Sequence, residues 1–205
     1  GRRRRPVADL VPDGAARHEQ ALAIAETLVA AGYRQIGLDH FALPTDDLAQ
    51  AQAKGTLRRN FQGYTTDQCE TLLGFGASAI GQMVQGYLQN EVGLGLYANR
   101  VGSGQLAIAK GYSLTVEDRV RGAVIERLMC DFEVDIPLMA ARYGFDPDRL
   151  LKTNDRLAML ERDGLLENAS GVIRVVSTHR FAVRAVAAAF DAYLDRSPRA
   201  YSRAV

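Results

Sequence analysis

Two cysteines, three histidines and no tryptophan occur among the 205 residues. Cys69 and Cys130 lie far apart, and neither has a neighbour at the spacing that zinc or iron–sulfur ligation requires. The same scarcity excludes a disulfide scaffold of the secreted kind. Both cysteines are therefore expected as small, buried or half-buried helix residues. Charge of one sign is lacking too. The chain has 25 basic and 24 acidic side chains and a net charge of +1, which gives no argument for a nucleic-acid or membrane-surface partner. No apolar run nears the roughly 20 residues that span a bilayer. No secretory leader is visible, so a cytoplasmic protein is the default expectation.

What is present suffices for one domain or two small ones: apolar residues make up 47% and charged residues 24%. The one charge run, Arg2-Arg3-Arg4-Arg5, reads as a solvated segment or as a contact for phosphate or carboxylate.

Pro12-Asp13-Gly14 signals a turn, and Leu22, Ala25, Leu28 and Val29 place a helix after it, ending at Gly32. Tyr33 to Leu38 is a candidate strand. A helix followed by a strand, with a polar segment beyond, is the order of a βα barrel, whose active residues sit at the C-terminal strand ends. Asp39 and His40 would then lie at a site's edge. A short helix is expected from Pro44 to Lys54, and Thr66 is a plausible N-cap for a long one reaching Asn90. Gly93, Gly95, Gly102, Gly104 and Gly111 loosen the next stretch, with a short helix at Leu94 to Arg100. The domain boundary is placed here, giving residues 1–112 and 113–205.

Past it, Ser113 to Cys130 reads as a helix with Thr115 as cap and Val120, Val124 and Leu128 as its apolar stripe. Asp135 to Tyr143 is a second helix. Asp146-Pro147 opens a third, with Leu150, Leu157 and Leu160 on one side. A hairpin turns at Asn168-Ala169-Ser170-Gly171, and a last helix runs from Thr178 to Leu194. Three helices and a hairpin are the order of a winged helix-turn-helix, which raises a DNA-binding or interaction module as a rival function. The third helix opposes that rival. Its Arg149, Lys152, Arg156 and Arg162 are balanced by Asp148, Asp155, Glu161 and Asp163, and affinity for a polyanion depends on net phosphate neutralisation.

The most informative stretch runs from Arg58 to Ile80. A polar turn, Asn60-Phe61-Gln62-Gly63-Tyr64-Thr65-Thr66, precedes a run of small residues, Gly74-Phe75-Gly76-Ala77-Ser78-Ala79-Ile80. Glycine there lets a backbone approach a ligand closely. With Gly37-Leu38-Asp39-His40-Phe41-Ala42 upstream, the chain resembles the oxygen-independent coproporphyrinogen III oxidases, radical S-adenosylmethionine (SAM) enzymes of porphyrin synthesis. The resemblance runs through the whole chain to Tyr201-Ser202-Arg203-Ala204-Val205, which looks like that family's C-terminus. It implies an α/β fold plus a mostly α part: the C-terminal portion of a partial βα barrel, then a helical, winged-helix-like domain with a small hairpin.

It also implies the reaction: oxidative decarboxylation of two propionates of coproporphyrinogen III to vinyl groups, begun by a 5′-deoxyadenosyl radical. The family holds its 4Fe-4S cluster on CxxxCxxC, which this chain lacks. The chain is therefore expected to be the C-terminal part of a longer enzyme, inactive alone and unable to bind the cluster, with its partner the N-terminal half of the barrel. A related radical SAM haem chaperone is the alternative; Gly37 to Ala42 favours the oxidase.

By resemblance, Phe61, Gln62 and Ile80 lie near bound SAM. Each has an ordinary alternative: Phe61 and Ile80 as core residues, the latter at a glycine-rich helix start, and Gln62 as a polar turn residue. Asp39, His40, Arg58 and Arg59 are substrate candidates, because histidine titrates near neutrality and guanidinium forks onto carboxylates. His40 could equally be a structural strand-end histidine, and the two arginines a solvated pair. No residue is assigned a catalytic role, and no metal site is expected.

Overall fold

The computed structural model describes residues 13–152 and 154–194; Arg2–Arg5 and Tyr201–Val205 lie outside the described residues. Thr115 opens the helix on which the rest is assembled. Its hydroxyl accepts from Asp118 N–H at 3.1 Å, and Asp118 Oδ2 accepts from Thr115 N–H at 2.9 Å. This reciprocal capping box starts α4 (Val116–Asp131), as the spacing of the two residues leads one to expect. Val120, Val124 and Leu128 line its buried face.

Against that face pack α5 (Ile136–Arg142), α6 (Asp148–Leu151), α7 (Asp155–Arg162) and α8 (Val183–Ala188). An antiparallel sheet of β8 (Glu133–Asp135), β9 (Leu166–Ala169) and β10 (Val172–Val175), with β10 central, closes the core. Ile173, Leu150, Val186 and Phe190 are fully buried within it. The expected third helix is broken in two near Asn154, whose side chain accepts from Leu157 N–H at 3.0 Å and caps α7. The expected last helix begins instead as a 3₁₀ turn at Ser177–Ala182.

The N-terminal half has a second, smaller core. Strands β1 (Arg34–Ile36) and β2 (His40–Ala42), helix α2 (Asp47–Ala53) and the following loop bring together Ile36, Ala42, Ala49, Ala51 and Leu57. Cys130 of α4 belongs to the same cluster. One helix thus contributes to both cores. By contrast α1 (Gly14–Ala30) buries none of its residues and exposes Leu22, Ile24 and Val29.

The N-terminal half departs from the order its sequence suggests. The strand at Tyr33–Leu38 is real but shorter, and it is one arm of an antiparallel β1–β2 hairpin. Among the described residues every strand pairing is antiparallel, and no closed barrel is present. The long helix from Thr66 to Asn90 does not form. Gly74, Gly76, Gly81 and Gly86 fall within it, and each interior glycine costs a helix about 1 kcal/mol. Instead β5 (Ile80–Met83) and β6 (Gly86–Asn90) make a hairpin extended by β7 (Ile108–Ser113), where a loose segment was expected. The short helix expected near Leu94 is present as α3 (Leu94–Gly102).

Candidate functional site

Tyr64 organises the polar turns of the N-terminal half. It lies on β4 (Gly63–Thr65), which pairs with β3 (Arg58–Asn60) in a hairpin whose tip carries Phe61 and Gln62. The phenol accepts from Leu38 N–H at 3.0 Å and donates to Met129 C=O at 3.0 Å. Burial pushes its pKa upward, so the hydroxyl stays protonated as the donor this bridge needs. Gly37 permits the approach: its φ is +55°, and an added Cβ would lie 2.0 Å from the Tyr64 ring. The Gly37 carbonyl also accepts from Arg180 Nη2 at 3.3 Å, and that guanidinium stacks 3.8 Å from the centre of the Phe132 ring.

The four substrate candidates meet around this tyrosine. Asp39 ends the β1–β2 turn, and its Oδ1 lies 2.9 Å from His40 Nδ1. The His40 ring packs edge-on to Tyr64 at 5.1 Å between centroids. Its Nε2 would be 3.7 Å from a Cβ at Gly63, whose φ of +138° makes the tight tip possible. Arg59 lies over the Tyr64 ring from another side, at 5.7 Å. Arg58 is engaged elsewhere: its Nε donates to Glu126 Oε1 at 2.7 Å, and that hydrogen bond raises the guanidinium pKa further. Asp39, His40 and Arg59 remain exposed beside the tip, whereas Arg58 is tied to α4.

Phe61 and Gln62 are both exposed. Phe61 packs edge-on to Tyr87 at 5.4 Å. Tyr87 on β6 pairs with Gln82, and Ile80 with Gln89. Directly opposed residues share a face, and so do residues two apart on one strand, so Ile80 and Tyr87 look to the same side. Phe61 and Ile80 thus flank one surface, joined through Tyr87. Ile80 is 36% exposed at the start of β5, neither core nor helix start. The Gln62 backbone N–H donates to Asn60 Oδ1 at 2.8 Å, while its carboxamide makes no hydrogen bond within the described residues. The tip and the start of β5 thus present an apolar ring, an uncommitted carboxamide and a partly exposed isoleucine to solvent.

The thiols do not suit a cluster. Cys69 is exposed in a loop and Cys130 is buried, and burial pushes the Cys130 thiol up to about 12. Two separated cysteines cannot supply a three-thiolate set, so a cluster would need ligands from outside this chain. Among the described residues no group of three His, Cys, Asp or Glu is placed to hold a metal.

Tyr64, Tyr87 and Glu126 were not singled out by the sequence. Tyr64 sits inside the polar turn already recognised, but no local pattern marks it as the residue whose hydroxyl bridges the β1–β2 turn and α4. Nothing local marks Glu126, because its partners are distant in sequence.

Residues 114–176 match the family model of the HemN C-terminal domain. Over 195 residues the chain is 56% identical to an oxygen-independent coproporphyrinogen III oxidase of Bradyrhizobium diazoefficiens, covering 95% of this chain and 43% of that protein. It is 42% identical to the protein of the same name from Pseudomonas aeruginosa, covering 93% of this chain and 42% of the relative. A solved structure described as "Coproporphyrinogen III oxidase (HemN) from Escherichia coli is a Radical SAM enzyme" superposes with a TM-score of 0.84 at 35% identity. That match covers 92% of this chain and 44% of the other. The chain therefore spans less than half the length of these relatives. Residues 114–176 match the HemN C-terminal domain, and the chain matches the C-terminal part of the oxygen-independent coproporphyrinogen III oxidases.

Proposed function

We propose that the chain is the C-terminal part of an oxygen-independent coproporphyrinogen III oxidase, which converts two propionates of its substrate to vinyls and yields protoporphyrinogen IX. The observation that carries this reading is the 56% identity across 95% of the chain to a protein of that name. SAM, cleaved at a cluster held outside this chain, would supply the oxidising radical. Phe61 and Ile80 would cover apolar faces of SAM, and the free Gln62 carboxamide would hydrogen-bond its polar edge. The Asp39–His40 pair and Arg59, exposed beside the same tip, would orient a propionate; Arg59 is preferred to Arg58, whose Nε is engaged by Glu126. Orientation of this kind, with exclusion of water, is the protein's share of such a reaction.

Residues 1–112 would serve as the barrel-side part and residues 113–205 as the C-terminal domain. The order α4, β8, α5, α6–α7, β9, β10 and the sheet order β8-β10-β9 support a winged-helix-like reading of the latter. Its role would be structural, given the balanced charge on α7. A cytoplasmic location goes with this reading. Among the described residues no helix is long and apolar enough to cross a membrane.

The test uses the full-length protein. Gln62→Ala and Ile80→Ala should each reduce vinyl-product formation and weaken SAM affinity while thermal midpoints stay close to wild type. Full activity in Gln62→Ala removes that residue from the site. Activity lost in step with a large drop in midpoint returns Ile80 to a purely structural role.

A further inference from the structure

The tip that carries Phe61 and Gln62 does not stand alone; it is fastened to the last two turns of α4. Glu126 Oε1 accepts both from Arg58 Nε at 2.7 Å and from Arg59 N–H at 3.0 Å. The adjacent Arg127 donates to Gly55 C=O at 3.3 Å and to Leu57 C=O, and is itself held by Asp131 at 2.8 Å. On the opposite strand, Tyr64 donates to Met129 C=O at 3.0 Å. Arg59 and Tyr64 are register partners, so both strands are fixed at the same level of the ladder. Only Asn60 to Gly63 projects beyond that level. Of the helix's contacts, the one from Glu126 reaches nearest the tip on the β3 side, and it grips a backbone N–H as well as a side chain.

We propose that Glu126 is a positioning residue for the SAM-side turn: by fixing the β3 backbone at Arg59, it sets where Phe61 and Gln62 are presented. The C-terminal domain thereby contributes to cofactor affinity without touching the cofactor. The proposal rests on the reading of Phe61 and Gln62 as SAM-facing. Glu126 is about one-fifth exposed, so its hydrogen bonds face little competition from water. Small misplacements of a positioned group are costly well beyond the energy of the lost contact. An alanine at 126 abandons both donors, whereas a glutamine keeps an acceptor oxygen at the same reach.

The experiment compares Glu126→Ala, Glu126→Gln and Gln62→Ala in the full-length holoenzyme. It measures KM for SAM, kcat, and amide hydrogen exchange at residues 59–64 and in the buried core around Leu128 and Ile173. Glu126→Ala should raise KM for SAM roughly tenfold or more, with a smaller change in kcat. Exchange should quicken at 59–64 with the core unchanged, and Glu126→Gln should recover most of both effects. A wild-type KM in Glu126→Ala overturns the proposal. So does faster exchange throughout the core in both Glu126 variants, because the residue would then act on global stability. Gln62→Ala separates the underlying reading. If it raises KM while Glu126→Ala does not, the proposal fails and the reading stands. If Gln62→Ala leaves KM at the wild-type value, the reading fails.

Discussion

Residues 114–190 turn most of their apolar side chains inward; residues 73–106 turn many of theirs outward. In the first region Val120, Val124, Leu128, Ile136, Leu150, Ile173 and Phe190 are buried around α4. In the second, Phe75 is 88% exposed, Leu106 79% and Leu94 78%, with Leu73, Val92, Leu96 and Val101 also exposed. The first region has a core of its own. The second has strands and a helix but little that they bury. Exposed Leu, Val and Phe are also the usual composition of contact faces. Here they lie in the half that carries the candidate site, in a chain that covers 43% of its relative's length.

The comparison breaks first at single apolar residues. Leu128→Ala or Ile173→Ala should destabilise the chain by about 2–5 kcal/mol, since each leaves a cavity in a packed interior. Phe75→Ala should change stability by no more than about 0.5 kcal/mol. Urea unfolding of the three variants checks this; a comparable loss in Phe75→Ala would mean that the second region hides a core of its own.

The junction between the regions comes next. Gly37→Ala should cost about 1–3 kcal/mol, because the new methyl overlaps the Tyr64 ring and alanine resists positive φ. Tyr64→Phe should cost a similar amount, through the Leu38 N–H and Met129 C=O it leaves unpaired. Thermal midpoints serve for both. If Tyr64→Phe matches wild type, the bridge between the β1–β2 turn and α4 contributes nothing measurable.

Sequence legibility divides along the same line. In the first region local signals agree with tertiary structure. Thr115 and Asp118 mark α4 three residues apart, Asn168 to Gly171 mark the β9–β10 turn, and Val120, Val124 and Leu128 mark one helical face. Even there β8 carries no local signal, because Glu133–Asp135 is three residues long and is defined by pairing with β10. In the second region the glycines signal a loose segment and a helix start. Of their strands, β5 and β6 pair across the two-residue turn Val84-Gln85, which carries no Gly, Asn or Asp to mark it, and β7 joins them only from beyond α3. Asn90 adds a longer reach: its side-chain amide donates to the carbonyls of Gly74 and Gly76, holding the loop ahead of β5. The site followed the same rule. The tip at Phe61–Gln62 was legible as a turn, whereas Glu126, which anchors its base, lies on a helix far along the chain.

A milder test concerns the cap on which the first region is built. Thr115→Ala removes the hydroxyl that accepts from Asp118 N–H and should cost about 1 kcal/mol. Circular dichroism during urea unfolding measures it. Because α4 also carries Glu126, amide exchange at residues 59–64 in Thr115→Ala sharpens the comparison. The capping box lies at the opposite end of the helix from the hairpin, so exchange there should rise only as far as global stability falls.

The smallest effect belongs to the other half of that box. Burial pushes the Asp118 carboxyl up, but hydrogen bonds from Tyr193 and Thr115 and the charge of Arg121 outweigh it and hold the pKa below the ordinary carboxylate value. Tyr193 Oη donates to Asp118 Oδ1 at 2.7 Å and lies 2.5 Å from Tyr112 Oη. Those two hydrogen bonds push the Tyr193 phenol upward, so it stays a donor throughout the acid range. A depressed folded-state pKa means that the ionised form stabilises the fold. The contribution is complete above the unfolded-state value and disappears as pH falls through the folded-state value. Asp118→Asn should therefore lower the urea midpoint slightly at neutral pH, and the gap to wild type should close in acid below the ordinary carboxylate range. The gap should stay well under that of Thr115→Ala, since Asp118 is only slightly buried and water screens it. A gap that holds constant from neutral pH into acid would show that the carboxylate's charge adds nothing to the cap, and that Asp118 serves α4 only as a hydrogen-bond acceptor.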